Sequence, residues 1–325
     1  MTGSAPTFFA QIAANRRASW VLMLVVTLLL VALAGSVGYA LGYEWLGIPF
    51  ALVLATLLGT GSYFAGDRLV LAASDAREID PANPPDTLRQ LMNVVEEMRL
   101  ASGLPMPRVH VIPDTAPNAF ATGRDPKHAS LAVTAGLLEK LDREELQGVI
   151  AHEFSHVRNL DIRFMLLIGV MVGSIALIAD WFLRISFWGG GFRGRGGGRD
   201  RDGAGGILIL VAVLALVLSV VSPIIARLVM LAASRRREGL ADVSAVELTR
   251  NPMGLARALR KIADDPEVLE VANKATQHLY IVNPIKAAEE RSRSMWDTHP
   301  PIAERIRVLE QLAGASAAPS ATTIG

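Results

Sequence analysis

The hydrophobic pattern of the chain is dominated by four long apolar stretches, at residues 20–41, 47–66, 164–179 and 207–226. Each approaches the ~20 residues that a helix needs to cross a bilayer, and Pro223 in the last is tolerated in membrane helices. Arg16 and Arg17 before the first stretch also fit a cleaved signal peptide, but the apolar run continues past the small-residue site at Ala34 to spanning length. The pattern therefore predicts four transmembrane helices.

Two polar blocks lie outside these stretches and predict one cytosolic α+β domain, mainly helical with a small sheet, assembled from both. A helix is predicted over residues 87–101 and strands over 108–112 and 129–134. Residues 119–122, followed by a Gly-Arg-Asp-Pro turn, are expected to pair with the second strand as a hairpin. The predicted segments are a tail with two spans, the first half of the domain, two further spans, the second half and a disordered tail: residues 1–66, 67–163, 164–226, 227–312 and 313–325.

Basic residues near the predicted spans indicate the orientation, because Lys and Arg are enriched on the cytoplasmic side. Arg16 and Arg17 precede the first span, whereas the loop at residues 42–46 carries only Glu44 as a charged residue. The glycine-rich loop at residues 188–206, external in this topology, holds four arginines against the trend. The larger count of basic residues favours a cytoplasmic N-terminus and a cytoplasmic domain.

Composition narrows the function classes further. Hydrophobic residues make up 51% of the 325 residues and charged residues 19%, with a mean hydropathy of +0.35. These values exclude a disordered chain, and a net charge of +1 predicts no nucleic-acid partner. The chain contains no cysteine, which excludes a disulfide scaffold, a thiolate zinc finger and a cysteine nucleophile. A lipid bilayer is the partner that the composition favours.

The strongest chemical signal is the sequence HEFSH at residues 152–156. Residues four apart share one face of a helix, so His152 and His156 can reach one metal ion, and Glu153 is placed to act as general base. Two solvated histidines on a surface helix are the alternative. The neighbouring apolar residues argue against it because they predict a buried helix: Leu146, Val149, Ile150 and Phe154. Zinc is predicted by precedent, although cobalt or manganese also fits such ligands.

A catalytic zinc site needs a third protein ligand, and Glu238 is the best candidate. His156 lies eight residues before the third predicted span, and Glu238 lies eight residues after Met230, near the end of the fourth. If both helices continue straight, the two side chains stand at a matching depth of ~12 Å from the membrane boundary. Asp242, one turn further, is expected to orient a ligand histidine. Alternatively, both carboxylates merely pair with the arginines at residues 235–237.

At these positions the chain resembles the HtpX-type membrane zinc metalloproteases, which are gluzincins related to the CAAX-prenyl endopeptidases. The resemblance spans residues 85–309. It rests on four motifs that occur in the family's order, at residues 118–123, 152–161, 237–242 and 298–306. It implies zinc ligands at His152, His156 and Glu238, and Glu153 as catalytic base. It also implies four membrane segments and a cytosol-facing, zincin-like domain.

The resemblance further implies an endopeptidase of the bacterial inner membrane that acts in membrane-protein quality control, with misfolded membrane proteins as polypeptide substrates. The oxyanion of the reaction needs a stabilising group besides zinc, and His299 is the candidate. Its alternative role is to pack a turn before the final helix. Asn118 begins a strand that either binds substrate as an added strand or belongs to an ordinary hairpin of the sheet.

Three other functions fit parts of the sequence. A zinc-bound scaffold without proteolysis is disfavoured, because such a protein has no reason to keep Glu153. A transporter is indicated by Asp180 and Arg184 in the third span, but their spacing of one helical turn is explained by mutual pairing or snorkelling. A prenyl-peptide protease shares the same catalytic residues and stays open.

Overall fold

The computed structural model describes residues 8–39, 46–188, 204–269, 281 and 301–317, which are mostly helical. The helices within these residues are α1 (Phe8–Gly38), α2 (Gly47–Ala73), α3 (Arg89–Ser102), α4 (Ala135–Lys140), α5 (Arg143–Arg158), α6 (Asp161–Trp188), α7 (Ala204–Thr249), α8 (Pro252–Asp264) and α9 (Ile302–Ala317). The strands are β1 (Arg77–Glu78), β2 (Arg108–Ile112), β3 (Ala119–Gly123) and β4 (Ala129–Thr134). A mainly helical chain with one small sheet confirms the α+β class in outline.

The four strands form one mixed sheet in the order β1-β2-β4-β3. Strands β2 and β4 have the predicted bounds and pair in parallel. The predicted hairpin is confirmed, because β3 pairs antiparallel with β4, with Ala119 opposite Val133 and Gly123 opposite Ala129. Strand β1 was not predicted, since two residues are too few to show an alternating pattern. In this order β3 lies at an edge of the sheet.

Helix α5 lies at the centre of the main hydrophobic core, where it packs against α3, α8 and strand β3. Helix α3 confirms the predicted amphipathic helix and ends at Gly103, whose φ of 68° suits glycine. Helix α8 starts at Asn251, whose side chain caps the helix by accepting from the amide of Gly254. The α5–α8 contact is close at Gly148, where an added Cβ would lie 2.6 Å from the main-chain nitrogen of Leu255.

The chain divides into two compact units, Met1–Tyr63 with Leu167–Ala233, and Phe64–Leu166 with Ser234–Gly325. The second unit contains the sheet and helices α3, α4, α5, α8 and α9. We call it the protease unit only because the motifs of the resemblance described above fall within it. The first unit contains α1 and parts of α2, α6 and α7. The domain boundaries drawn from the sequence stay predictions.

Over the described residues, no helix meets the combined requirement of length and apolarity for a membrane span. The four predicted spans therefore stay predictions. Asp180 and Arg184 pair with each other at 2.7 Å, as their spacing predicted. Most of the loop at residues 188–206 lies outside the described residues. The tail predicted to be disordered from residue 313 is helical up to Ala317, where α9 ends, and its remainder lies outside the described residues.

Candidate metal centre

Helix α5 carries the HEFSH sequence and has defined ends. Asp142 and Glu145 form a capping box, in which each side chain accepts from the other residue's amide at 2.9 Å. Lys261 of α8 donates to the Glu145 carboxylate at 2.6 Å. Beyond the helix, Leu160 adopts a φ of 60°, so the backbone turns sharply. Helix α6 then begins at Asp161, whose carboxylate faces the last turn of α5.

This turn shows that one geometric expectation was wrong. The third apolar helix was expected to continue straight from His156, but α5 ends at Arg158 and α6 begins at Asp161. Helix α7 does run unbroken from Ala204 to Thr249, through Pro223, as was expected for the fourth. The argument that placed Glu238 and His156 at a matching depth is therefore correct for α7, which carries Glu238, and wrong for the helix that carries His156.

The two histidines of the motif face each other from adjacent turns of α5. Their Nε2 atoms lie 3.2 Å apart, and their rings meet edge to face with centroids 4.7 Å apart. His152 is fully buried, and His156 is partly buried. The structure thus confirms that the four-residue spacing places both imidazoles on one face of a buried helix.

Glu238 of α7 completes a group of three possible ligands in the protease unit. Its Oε2 lies 3.4 Å from Nε2 of His152, and its Oε1 lies 3.5 Å from Nε2 of His156. Two ligand atoms bound to a tetrahedral zinc at 2.0–2.1 Å are about 3.3 Å apart. The separations from Glu238 are measured to its nearer oxygen in each case, and with one ligand atom from each residue the three atoms lie within 4.8 Å of one another. The group can therefore hold one ion through three protein ligands, which leaves a fourth position for water.

Two carboxylates contact the other nitrogen of each imidazole. Nδ1 of His152 lies 3.0 Å from Asp242, and Nδ1 of His156 lies 3.2 Å from Asp161. A carboxylate at Nδ1 favours a proton there and leaves the Nε2 lone pair free to bind a metal. Asp242 was expected to orient a histidine; it contacts His152, and the orienting role stays a prediction. The same position of Asp161 was missed, although this residue lay within the motifs that carried the resemblance.

Arg305 of α9 lies between the carboxylates on the side of His152. Its Nε and Nη2 atoms donate to Asp242 at 2.9 and 2.7 Å, and its Nη1 lies 3.2 Å from Glu238. Nη1 also donates to the carbonyl of Ile281 at 3.1 Å. Sequence reasoning gave Arg305 no role, because 63 residues separate it from Asp242 and no local spacing connects them.

Burial and charge perturb the acids of this centre in opposite directions. Burial tends to raise the pKa of Asp242, but Arg305 and His152 outweigh it and lower the pKa to about 2. Burial raises the pKa of Glu153, only partly opposed by the neighbouring histidines. A buried carboxyl with a raised pKa is suited to accept and return a proton near neutral pH.

Glu153 points toward the edge strand of the sheet. Its side chain is 2% exposed, and the backbone N–H of Ala121 in β3 favours its charged form and so lowers its pKa slightly against the effect of burial. The carbonyl of Ala119, two residues earlier, accepts from the amide of Ile281 at 3.0 Å. Asn118, in contrast, pairs with Thr134 of β4 through its main chain. The carbonyl of Ala119 and the amide of Ala121 thus face away from β4, toward Ile281 and Glu153 respectively.

Arg237 has a separate set of contacts from its neighbour Glu238. Its Nε lies 3.5 Å from Asp161, and its guanidinium lies 3.5 Å above the ring of Phe164. Burial lowers its pKa to about 10, although Asp161 opposes the shift. Arg237 therefore extends the charged network from Asp161, and the alternative in which Glu238 and Asp242 only pair with the arginines at residues 235–237 stays open.

The remaining two candidates lie outside this cluster. The Asn118 side chain is buried at the start of β3, where its Oδ1 accepts from the amide of Ala119 at 3.0 Å. Its position at the edge strand agrees with either interpretation of this segment. His299 lies outside the described residues.

Comparison with known proteins places this geometry in a family. Residues 85–313 match Peptidase family M48, and this stretch contains every residue of the metal centre. The chain belongs to peptidase family M48. Among curated M48 relatives, a protein named "Protease HtpX homolog" from Streptococcus thermophilus is 42% identical over 309 residues, which cover 94% of this chain and 99% of the relative. A protein of the same name from Thermoanaerobacter pseudethanolicus is 40% identical over 309 residues, covering 95% and 99%.

A solved structure shows a weaker similarity. The crystal structure of S. mikatae Ste24p matches 82% of this chain and 58% of its own length, with 18% identity and a TM-score of 0.47. Family membership and the full-length relatives together show that this M48 protein is a metalloprotease, a hydrolase of peptide bonds. They confirm the family inferred from the four sequence motifs.

Proposed function

We propose that this M48 protein is a zinc-dependent endopeptidase of the bacterial inner membrane that cleaves misfolded or membrane proteins at the cytoplasmic face. The observation that carries the proposal is the convergence of His152, His156 and Glu238, whose ligand atoms lie within 4.8 Å of one another, beside a buried carboxylate with a raised pKa. In this assignment His152, His156 and Glu238 hold zinc. Glu153 is the general base, and Asp242 orients His152.

Zinc, when bound, supplies a Lewis acid that polarises the scissile carbonyl and lowers the pKa of water toward ~7. Glu153 accepts a proton from the water that attacks the carbonyl carbon. It then donates this proton to the amine nitrogen as the C–N bond breaks. Its raised pKa supports both transfers, since a strongly acidic carboxyl would not return the proton.

We assign substrate binding to the edge strand β3. Main-chain groups of Ala119 and Ala121 face away from β4, and an extended peptide that displaced the Ile281 amide from the Ala119 carbonyl would pair with this edge beside Glu153. Because such pairing uses main-chain groups, it gives little selectivity for side chains. Low selectivity fits a protease that acts on many unfolded proteins, and Asn118 serves here to hold the first residue of the strand.

Exposed apolar side chains support the membrane assignment. Large hydrophobic residues are more than half exposed on helices α1, α2, α6 and α7, among them Leu24, Leu57, Leu177 and Val213. Exposed apolar surface of this kind is costly in water, and lipid covers it without cost. The names of the curated relatives specify a protease, and membrane residence and a role in quality control are part of this proposal.

The test uses the full-length chain in detergent with casein as an unfolded substrate, with and without added zinc. Glu153→Gln should keep its zinc, measured by plasma mass spectrometry, and lose cleavage by at least ~100-fold. Glu238→Gln should lose both. Glu144→Gln provides the matched control, because this residue lies on α5 but is 61% exposed. Equal cleavage by wild type and Glu153→Gln would refute the assignment of the base.

Orientation can be tested separately because the chain has no cysteine. Exposed Glu139, replaced by cysteine, should react with a membrane-impermeant maleimide only after cells are broken open. Labelling of intact spheroplasts would place the protease unit outside the cytoplasm and contradict that part of the proposal.

A further inference from the structure

A cavity of about 300 Å³ lies within the protease unit, and none of its lining residues is a candidate metal ligand. Its wall is formed by the end of α2, the start of β2 and the turn between β3 and β4. The charged residues that line it are unbalanced, with one carboxylate, Asp67, against Arg68, Arg108, Arg124 and Lys127. The neighbouring Asp125 lies 3.8 Å from Arg124, so two carboxylates stand against four cationic side chains. The cavity is therefore basic and large enough for a small anionic group.

The β3–β4 turn holds its basic residues in one conformation. Asp125 accepts from the amides of Lys127 and His128 at 2.9 and 3.1 Å, and it contacts Nδ1 of His128 at 2.8 Å. Gly123 has a φ of 136°, and an added Cβ there would lie 2.3 Å from the carbonyl oxygen of His128. The turn therefore has no room for a side chain at position 123, and it places Arg124 and Lys127 at the wall of the cavity.

Two arginines of the wall are oriented before any ligand arrives. Nη2 of Arg108 donates to Asp67 at 2.8 Å. The guanidinium of Arg124 lies 5.6 Å from the centre of the Phe64 ring, a cation–π contact. A guanidinium carries five N–H donors in a rigid plane, so one bond to Asp67 leaves further donors on Arg108 for an anion.

Arg68 and Lys127 add positive charge to this wall. Both side chains are exposed. Within the described part of the chain, neither lies within ion-pair distance of a carboxylate. Like charges gathered around one cavity repel each other, and an anion bound between them removes that repulsion. A phosphate group suits these donors best, because its oxygens accept paired N–H bonds from arginine and are attracted by the compact ammonium charge of lysine.

We propose that this cavity binds a phosphate group, carried by a free phosphate anion or by the headgroup of an anionic lipid. The second source is favoured by the position of the cavity in the sequence. The apolar stretch at residues 47–66 ends where the lining residues Phe64, Asp67 and Arg68 begin. If this stretch spans the bilayer, as the proposed function holds, the cavity lies at the level of the headgroups. The phosphate site itself does not depend on proteolytic activity.

The experiment uses the full-length chain in detergent, with Glu153→Gln in every sample to prevent self-digestion. Calorimetric titrations at constant ionic strength compare inorganic phosphate with mixed micelles that contain dioctanoyl phosphatidylglycerol or dioctanoyl phosphatidylcholine. The test variant combines Arg68→Gln with Lys127→Gln, since both residues are exposed. The control combines Arg89→Gln with Arg307→Gln, which removes the same charge outside the cavity. Thermal melts verify that both are folded.

We expect the test variant to weaken binding of the phosphate group by about tenfold or more, and the control by less than about twofold. If the wild-type protein binds inorganic phosphate and the test variant loses this binding, a free phosphate anion is sufficient to occupy the site. If the test variant loses only the binding of phosphatidylglycerol, and its binding of phosphatidylcholine is unchanged, the ligand is the headgroup of the anionic lipid. The proposal is overturned if the wild-type cavity binds neither probe, or if test and control variants weaken binding equally. Because binding is measured without cleavage, its failure is distinguishable from failure of the proposed protease function.

Discussion

Replacement of Arg305 by methionine removes a positive charge from the centre while keeping a side chain of similar length. The guanidinium contacts Asp242 through two bonds and Glu238 through a third contact at 3.2 Å. All three side chains are less than 7% exposed, so water cannot replace the lost charge. We therefore expect Arg305→Met to destabilise the fold and to disturb the orientation of His152.

The size of the effect follows from the perturbed carboxyl. A pKa of about 2 for Asp242, against an ordinary 3.8, reports a favourable environment for its charged form despite burial. This difference corresponds to roughly 2–3 kcal/mol. Breaking a buried ion pair by removal of one partner costs about 3–5 kcal/mol. We expect a loss near 3 kcal/mol, which lowers the melting temperature by roughly 6–12 °C for a unit of this size.

The assay is thermal unfolding followed by circular dichroism, on protein stripped with a chelator and on protein reloaded with zinc. The loss should be larger in the stripped protein, because a bound cation would compensate Glu238 in place of the guanidinium. Zinc affinity, measured by competition with a chromogenic chelator, should also fall by about 10–100-fold, since Asp242 orients a ligand. Arg305→Lys should recover only part of both losses, because one ammonium cannot reproduce the paired bonds.

Arg307→Met is the matched control, because Arg307 lies on the same helix and is exposed. Its melting temperature should stay within about 2 °C of the wild-type value. The reasoning is refuted if Arg305→Met melts at the wild-type temperature. It also fails if both variants lose the same stability, since the effect would then belong to the helix and not to the buried charge.

Three further predictions concern packing, ligand orientation and the ion. Gly148→Ala forces a Cβ to 2.6 Å from the Leu255 nitrogen and should lower the free energy of unfolding by about 1–3 kcal/mol, measured by thermal unfolding. In the control Gly314→Ala the added Cβ meets nothing within 4 Å, so this variant should be neutral or stabilising. If Gly314→Ala lost more stability than Gly148→Ala, the packing argument would be contradicted. Asp161→Asn removes the negative charge that contacts Nδ1 of His156 and should lower zinc affinity about 10–100-fold in chelator competition. Unchanged affinity would show that Asp161 does not support this ligand. Removal of zinc by a chelator should lower the melting temperature, because an ion that binds only the folded state stabilises it. Equal melting temperatures of the zinc-loaded and the stripped protein would count against the metal site.

Features set by local pattern were predictable from the sequence. The four-residue spacing placed His152 and His156 together, and alternating β-branched residues gave the bounds of β2 and β4. The helix α3 and the hairpin of β3 and β4 followed from the same kind of short-range signal. In each case the interactions that decide the structure lie within a few residues of one another, so the pattern contains them.

Features set by long-range contact were not predictable. Arg305 reaches Asp242 across 63 residues, and nothing in the spacing of the two indicates their contact. Asp161 faces His156 only because Leu160 adopts a positive φ, a conformation that is uncommon for leucine and that its neighbours do not signal. The same turn explains why the straight third helix was wrong. Glu238 was placed near the histidines by an argument of which only the α7 part was correct.

The contact between Arg305 and Asp242 also gives the centre a temporal order. Ribosomes synthesise the two histidines first, Glu238 and Asp242 next, and Arg305 a further 63 residues after Asp242. A nascent chain that has reached only α7 holds two buried carboxylates without the guanidinium that compensates them. We therefore expect the metal centre to reach its final stability only when α9 docks.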